Sequence, residues 1–123
     1  FMGQYGADTT TYGFTKEVLG GTPWDSPEAM QRNNPVAYAA NFSTPMLILH
    51  GEKDYRVPYG QSLALYGILQ NMRVPSRLVV FPDENHWILS PQNAIYWNYE
   101  VQDWLARYIG GKPMAKPAFN ATE

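Results

Sequence analysis

"TPMLILHGEKD", residues 44–54, holds an apolar run opened by Pro45, closed by Gly51 and followed at once by charge. A run of this length without polar alternation reads as a strand buried on both faces, as strands of parallel sheets are. A second such run, "SRLVVFPDE" at residues 76–84, ends at Pro82. Between the two, residues 59–72 set Leu65, Ile68, Leu69 and Met72 on one face of a helix. After the second run, Ser90 and Pro91 make a cap and first-turn pair for a long helix. Its apolar stripe is Trp97, Val101, Trp104, Leu105 and Tyr108, with Trp97 and Trp104 expected in the core, and Gly110-Gly111 stops it. Strand, helix, strand, helix is the order of a right-handed parallel unit, so the fold class is α/β. Two parallel strands this apolar expect neighbours on both sides, so the sheet reads as incomplete, one end of a larger doubly wound one.

The 44 residues before the first run are rich in Gly, Thr, Pro and Tyr, with a brief helix expected in "DSPEAMQRN" from Asp25. "GGTPW", ending at Trp24, reads as a turn with an aromatic anchor; no strand-to-helix G-x-G-x-x-G context makes it a phosphate cradle. The folded unit is expected over residues 1–111, with 112–123 a loose tail lacking periodicity. A net charge of -2 provides no electrostatic footprint for nucleic acid or anionic membranes. No apolar run approaches the length of a membrane span. "FMGQYGADTT" has neither the charged start and apolar stretch of a signal peptide nor an initiator Met, so it reads as a chain begun mid-protein. The absence of cysteine excludes disulfides, thiolate metal sites and Cys nucleophiles, and leaves the compartment open. Only two histidines occur, far apart and outside any H-E-x-x-H, so neither a metal site nor a cofactor is expected. The glycosylation triplets at Asn41 and Asn120 carry little weight, because such triplets arise often by chance.

Ligands of parallel α/β sheets sit beyond the carboxyl ends of the strands. The turns at those ends are "HGEKDYRVP", with Glu52 and Asp54, and "DENHWILSP", with Asp83, Glu84 and His86. Neighbouring parallel strands bring an acid and a histidine to one rim. A carboxylate bonded to imidazole Nδ1–H fixes the tautomer and leaves Nε2 to take a proton from a nucleophile. Acid before histidine is also the order of the last two members of the Ser…Asp…His set of α/β-hydrolases. None of Ser26, Ser43, Ser62, Ser76 and Ser90 lies in a G-x-S-x-G elbow, and Ser26 and Ser90 occupy helix-capping contexts. Of the acids, Glu52 is expected to point away from the base. His50, inside the strand, is expected as a core histidine with its hydrogen bonds satisfied. Tyr55 and Arg56 are expected to shape the loop, and Trp87 to pack.

These motifs carry a resemblance. The stretch from "STPMLILHGEKDYRVPYGQ" through "PDENHWILSPQNAIYWNYEVQDWL" resembles the C-terminal end of the catalytic domain of prolyl oligopeptidase family serine peptidases, in particular the dipeptidyl-peptidase and acylaminoacyl-peptidase branch. "LGGTPWDSPEAMQRNNPVAYAANFSTP" resembles the segment that follows the nucleophile-bearing region, so the likeness spans roughly residues 1–110. It implies the C-terminal portion of an α/β-hydrolase fold, with Asp54 as catalytic acid and His86 as catalytic histidine. It also implies that the nucleophilic Ser precedes Phe1, that the family's β-propeller lies elsewhere, and that this chain alone is inactive. The substrates implied are short peptides cut near the N-terminus, with release of a dipeptide or a blocked amino acid. Two other expectations stand beside this one. Ester hydrolases of the same broad fold use the same acid and base. The other takes the isolated chain as a non-catalytic interaction or assembly module, whose unpaired strand edges pair with the missing remainder of the hydrolase domain or with a second copy.

Overall fold

The computed structural model describes residues 16–18 and 20–118. The expectations for the first ten residues and for Asn120 lie outside that range. In chain order come helix α1 (Pro27–Arg32), a 3-10 helix (Pro35–Asn41), strand β1 (Met46–Gly51), helix α2 (Gly60–Asn71), strand β2 (Ser76–Phe81) and helix α3 (Pro91–Ile109). From Gly110 to Ala118 the chain has no helix or strand. No described helix is long and apolar enough to cross a membrane.

β1 and β2 pair in parallel, in a register running from Met46 opposite Ser76 to Gly51 opposite Phe81. Both strands therefore end at one rim, and the turns that follow them leave side by side. The crossover α2 lies against the pair and buries Leu69 completely, with Ile48 and Val74 beside it. Burying one leucine in this way contributes about 2 kcal/mol. The helix ends where Arg73 takes a left-handed conformation, φ 58°. That twist lets the Val74 N–H reach back to the Leu69 carbonyl at 2.9 Å, satisfying a terminal acceptor and turning the chain into β2.

Burial departs from the sequence reading in three places. The strands are only partly covered: Ile48 and Gly51 are the buried residues of β1, Val79 and Phe81 those of β2. Among the described residues only two strands pair, so each keeps an open edge. The stripe of α3 is not a core stripe either. Trp97, Val101 and Trp104 are half-buried, Leu105 and Tyr108 are exposed, and the buried residue of the helix is Glu100. The helix meets β2 through another face, where Tyr96 stands edge-on to Phe81 and the Arg77 guanidinium donates to Glu100 at 2.7 Å. Glu100 also accepts from the Tyr96 hydroxyl, and that bond raises the Tyr96 pKa. A buried carboxylate with two donors anchors the helix where periodicity alone points to apolar contact. On α2, Met72 is likewise exposed and Ile68 half-buried, while Leu69 is buried in the core and Leu65 packs against it.

Candidate active site

The two turns at the strand ends are bonded to each other through their backbones. Glu52 N–H donates to the Phe81 carbonyl at 3.0 Å and Lys53 N–H to the Glu84 carbonyl at 2.9 Å. Across the rim Lys53 also pairs with Asp83 at 3.0 Å, both exposed, so this ion pair adds little. Gly51 sits beneath the crossing. A Cβ there would run into the carbonyl oxygens of Glu84 and Asn85, so this strand has to end in glycine.

Asp54 is buried on this rim, 6% exposed. Its Oδ1 accepts from the backbone N–H groups of Arg56 at 2.9 Å and Val57 at 2.8 Å, the pattern of an Asx turn. Oδ2 is left to face His86 Nδ1, 2.8 Å away. Burial works against the charged form of Asp54. The Val57 N–H, His86 and the Arg56 N–H outweigh it and hold the carboxyl below its ordinary value of 3.8. His86 is 36% exposed, and with Nδ1–H directed at the acid its Nε2 is the ring nitrogen available to an incoming group. Trp87 lies edge-on to His86 at 5.3 Å, and the Arg56 guanidinium covers Trp87 at 5.2 Å. Two clefts flank the histidine. One, of 190 Å³, is lined by Asp54, Tyr55, Arg56 and Asn85; the other, of 350 Å³, by Trp87, Leu89, Trp97 and Asn98.

Glu52 is exposed, as is Tyr55. His50 is enclosed and doubly bonded, to Ser62 Oγ and to the Val57 carbonyl. Two residues that shape the site escape sequence reasoning. Gly51 reads simply as a strand terminus, although glycine in a strand also signals close backbone approach. Glu84 reads as one of several rim acids, yet it is buried and spans the base of the histidine turn. Its carboxylate accepts from Leu89 N–H at 2.9 Å, Ser90 N–H at 3.1 Å and the Asn93 amide at 2.7 Å. Ser90 stands at the N-cap of α3 with Pro91 in its first turn, as expected, but its side chain makes no cap bond to its own helix and bonds Glu84 instead.

The Ser90 hydroxyl, the Asn93 amide and the Leu89 N–H hold the Glu84 carboxyl down to about 2, against an ordinary 4.5. A depressed carboxyl pKa adds stability that is fully present above the unfolded value and lost as pH falls through the folded one. The gap in Tm between wild type and Glu84→Gln should therefore be largest above pH 4.5 and close as pH approaches 2. Thermal melts across that interval check it, and a gap that stays constant contradicts the role given to the charge.

A parallel strand pair that delivers a carboxylate-bound histidine to its carboxyl rim is the arrangement of hydrolases of the α/β class. Comparison with known proteins sharpens this: residues 2–112 match the prolyl oligopeptidase family, and the chain belongs to that family. It is 41% identical to the dipeptidyl-peptidase 5 of Aspergillus oryzae over 112 residues, which is 89% of this chain and 15% of that protein. Against the dipeptidyl-peptidase 5 of Schizosaccharomyces pombe it is 40% identical over 95 residues, 77% of this chain and 14% of that one. The chain thus spans about a seventh of the length of these curated relatives. Among solved structures, Pyrococcus horikoshii acylaminoacyl peptidase superposes with a TM-score of 0.77 at 27% identity, over 85% of this chain and 18% of that one. An acylaminoacyl peptidase in complex with Z-Gly-Gly-Phe-chloromethyl ketone also gives 0.77, at 26% identity, over 89% and 18%. The fold is thus part of a prolyl-oligopeptidase-type α/β-hydrolase domain.

Proposed function

We propose that the protein carrying these residues is a serine peptidase in which His86 is the general base and acid and Asp54 orients it. The observation that carries this reading is the 2.8 Å contact between His86 Nδ1 and Asp54 Oδ2, with the other carboxylate oxygen held by two backbone donors. His86 Nε2 takes the proton of a serine hydroxyl as its oxygen attacks the scissile carbonyl. The imidazolium, stabilised by Asp54, then hands that proton to the departing amine, leaving an acyl-enzyme. Water, activated by the same nitrogen, releases the acid.

The nucleophile belongs to a part of the enzyme outside these residues. Supporting this, none of the five serines lies in a G-x-S-x-G elbow, and three of them are already engaged: Ser62 is bonded to His50, Ser76 accepts from Gln70 and Ser90 is held by Glu84. The substrates are short peptides, from which a dipeptide or a blocked amino acid is removed at the N-terminus. The names of the dipeptidyl and acylaminoacyl peptidase relatives support that class over simple esters.

Chromogenic anilides of dipeptides and of N-acylated amino acids, set against simple aryl esters, test the proposal on the intact protein. Turnover of the peptidic anilides is expected, with the 123-residue chain alone inactive on all of them. An intact protein that cleaves esters only, or an isolated chain whose peptidase activity survives His86→Ala, overturns it.

A further inference from the structure

His50 interrupts an otherwise apolar strand, and an apolar side chain there would leave polar groups unmet. It is 9% exposed, and both ring nitrogens are engaged. Nε2 lies 2.9 Å from the Val57 carbonyl, which can only accept, so Nε2 carries a hydrogen. Nδ1 lies 2.6 Å from Ser62 Oγ on α2, and in the neutral ring it accepts that hydroxyl's hydrogen. The Val57 carbonyl therefore fixes the tautomer, and the Ser62 hydroxyl, donating to Nδ1, holds the ring in place. The Tyr59 ring covers His50 at 5.8 Å.

Val57 is the residue whose N–H donates to Asp54 Oδ1 at 2.8 Å, and Pro58 after it disfavours the helical region for its backbone. Fixing the Val57 carbonyl fixes the exit of the Asp54 turn. His50 Nε2 also lies 3.5 Å from Asp54 Oδ2, the oxygen that faces His86. A line of contacts thus runs from α2 to the base: Ser62 to His50, His50 to Val57, Val57 to Asp54, Asp54 to His86.

We infer that His50 and Ser62 are positioning residues that hold the Asp54 carboxylate in the orientation His86 requires. The inference rests on the proposed triad role of Asp54 and His86. Removing the grip on Val57 allows the Asp54 turn to drift, and small misplacements of a reacting group are costly in rate.

The test uses the intact protein, with rates expressed per active site titrated by a serine-directed phosphonate, so that loss of folded enzyme does not count as loss of rate. Losing one neutral hydrogen bond corresponds to about a ten-fold change, so His50→Phe should lower kcat about ten-fold and leave KM within about two-fold. His50→Gln, whose amide nitrogen can reach the Val57 carbonyl, should restore most of the rate. Ser62→Ala should fall between wild type and His50→Phe, and it carries the test if the Phe variant does not fold. Wild-type kcat per titrated site in His50→Phe, or in Ser62→Ala where the Phe variant does not fold, overturns the inference, as does a loss that Gln fails to reverse. If Asp54→Asn and His86→Ala also keep full activity, the peptidase reading itself fails. If those two abolish activity while His50→Phe and Ser62→Ala do not lower it, only the positioning role fails.

Discussion

Asp54→Asn in the intact protein is expected to lower kcat by about four orders of magnitude with little change in KM, and His86→Ala by that much or more. The Asp54→Asn result follows from how the carboxylate is held. Its Oδ1 accepts from the N–H groups of Arg56 and Val57, and an asparagine side chain would keep its single carbonyl oxygen in that place. The amide nitrogen then faces His86 Nδ1 where Oδ2 now stands, 2.8 Å away. Donor would meet donor, so the imidazole relieves the clash by moving its hydrogen to Nε2. A ring protonated at Nε2 has no lone pair for the serine proton. Stability should change much less than rate, because the turn keeps its backbone bonds. Steady-state kinetics on a dipeptide anilide decide the matter, and a kcat within about ten-fold of wild type for either variant contradicts the proposed roles.

The bringing together of these two residues was legible in the sequence because parallel register is strict. Once "MLILHG" and "RLVVF" are taken as neighbouring parallel strands, Gly51 and Phe81 end level, and the turns after them must share a rim. Helix boundaries were legible for similar local reasons: Pro91 can begin a helix, and Gly110, at φ 86°, readily ends one. Burial was not legible. The apolar stripe of α3 promised a core face, yet the helix is anchored by Glu100, whose partner Arg77 is 23 positions away in sequence and on another element. Periodicity reports what a helix can bury and not which neighbours are present to bury it. The supports of the site were hidden for the same reason. Glu84 looks like any turn acid until Leu89, Ser90 and Asn93 fold back onto it. His50 reads as a core histidine with satisfied bonds, and its contacts agree. The identity of those partners, Val57 and Ser62, depended on how the turn closes.

Gly51→Ala should damage the site more than its single methyl suggests, lowering stability by about 2–3 kcal/mol and kcat by about a hundred-fold. The new Cβ would point at the backbone carbonyls of Glu84 and Asn85, and unlike a flexible side chain these have little room to yield. The histidine turn would have to lift off the rim. That motion stretches the Lys53 N–H bond to the Glu84 carbonyl and pulls His86, two residues beyond Glu84, away from Asp54. A control of identical chemistry lies on α2. A Cβ at Gly67 would meet nothing within 4 Å, and alanine is the better helix former, so Gly67→Ala should be neutral or add up to about 1 kcal/mol. Opposite signs for one chemical change at two glycines would separate close backbone approach from glycine entropy. Thermal melts and kcat per titrated active site measure both, and a Gly51→Ala protein with wild-type Tm and kcat would show that the histidine turn does not need the strand to end without a side chain.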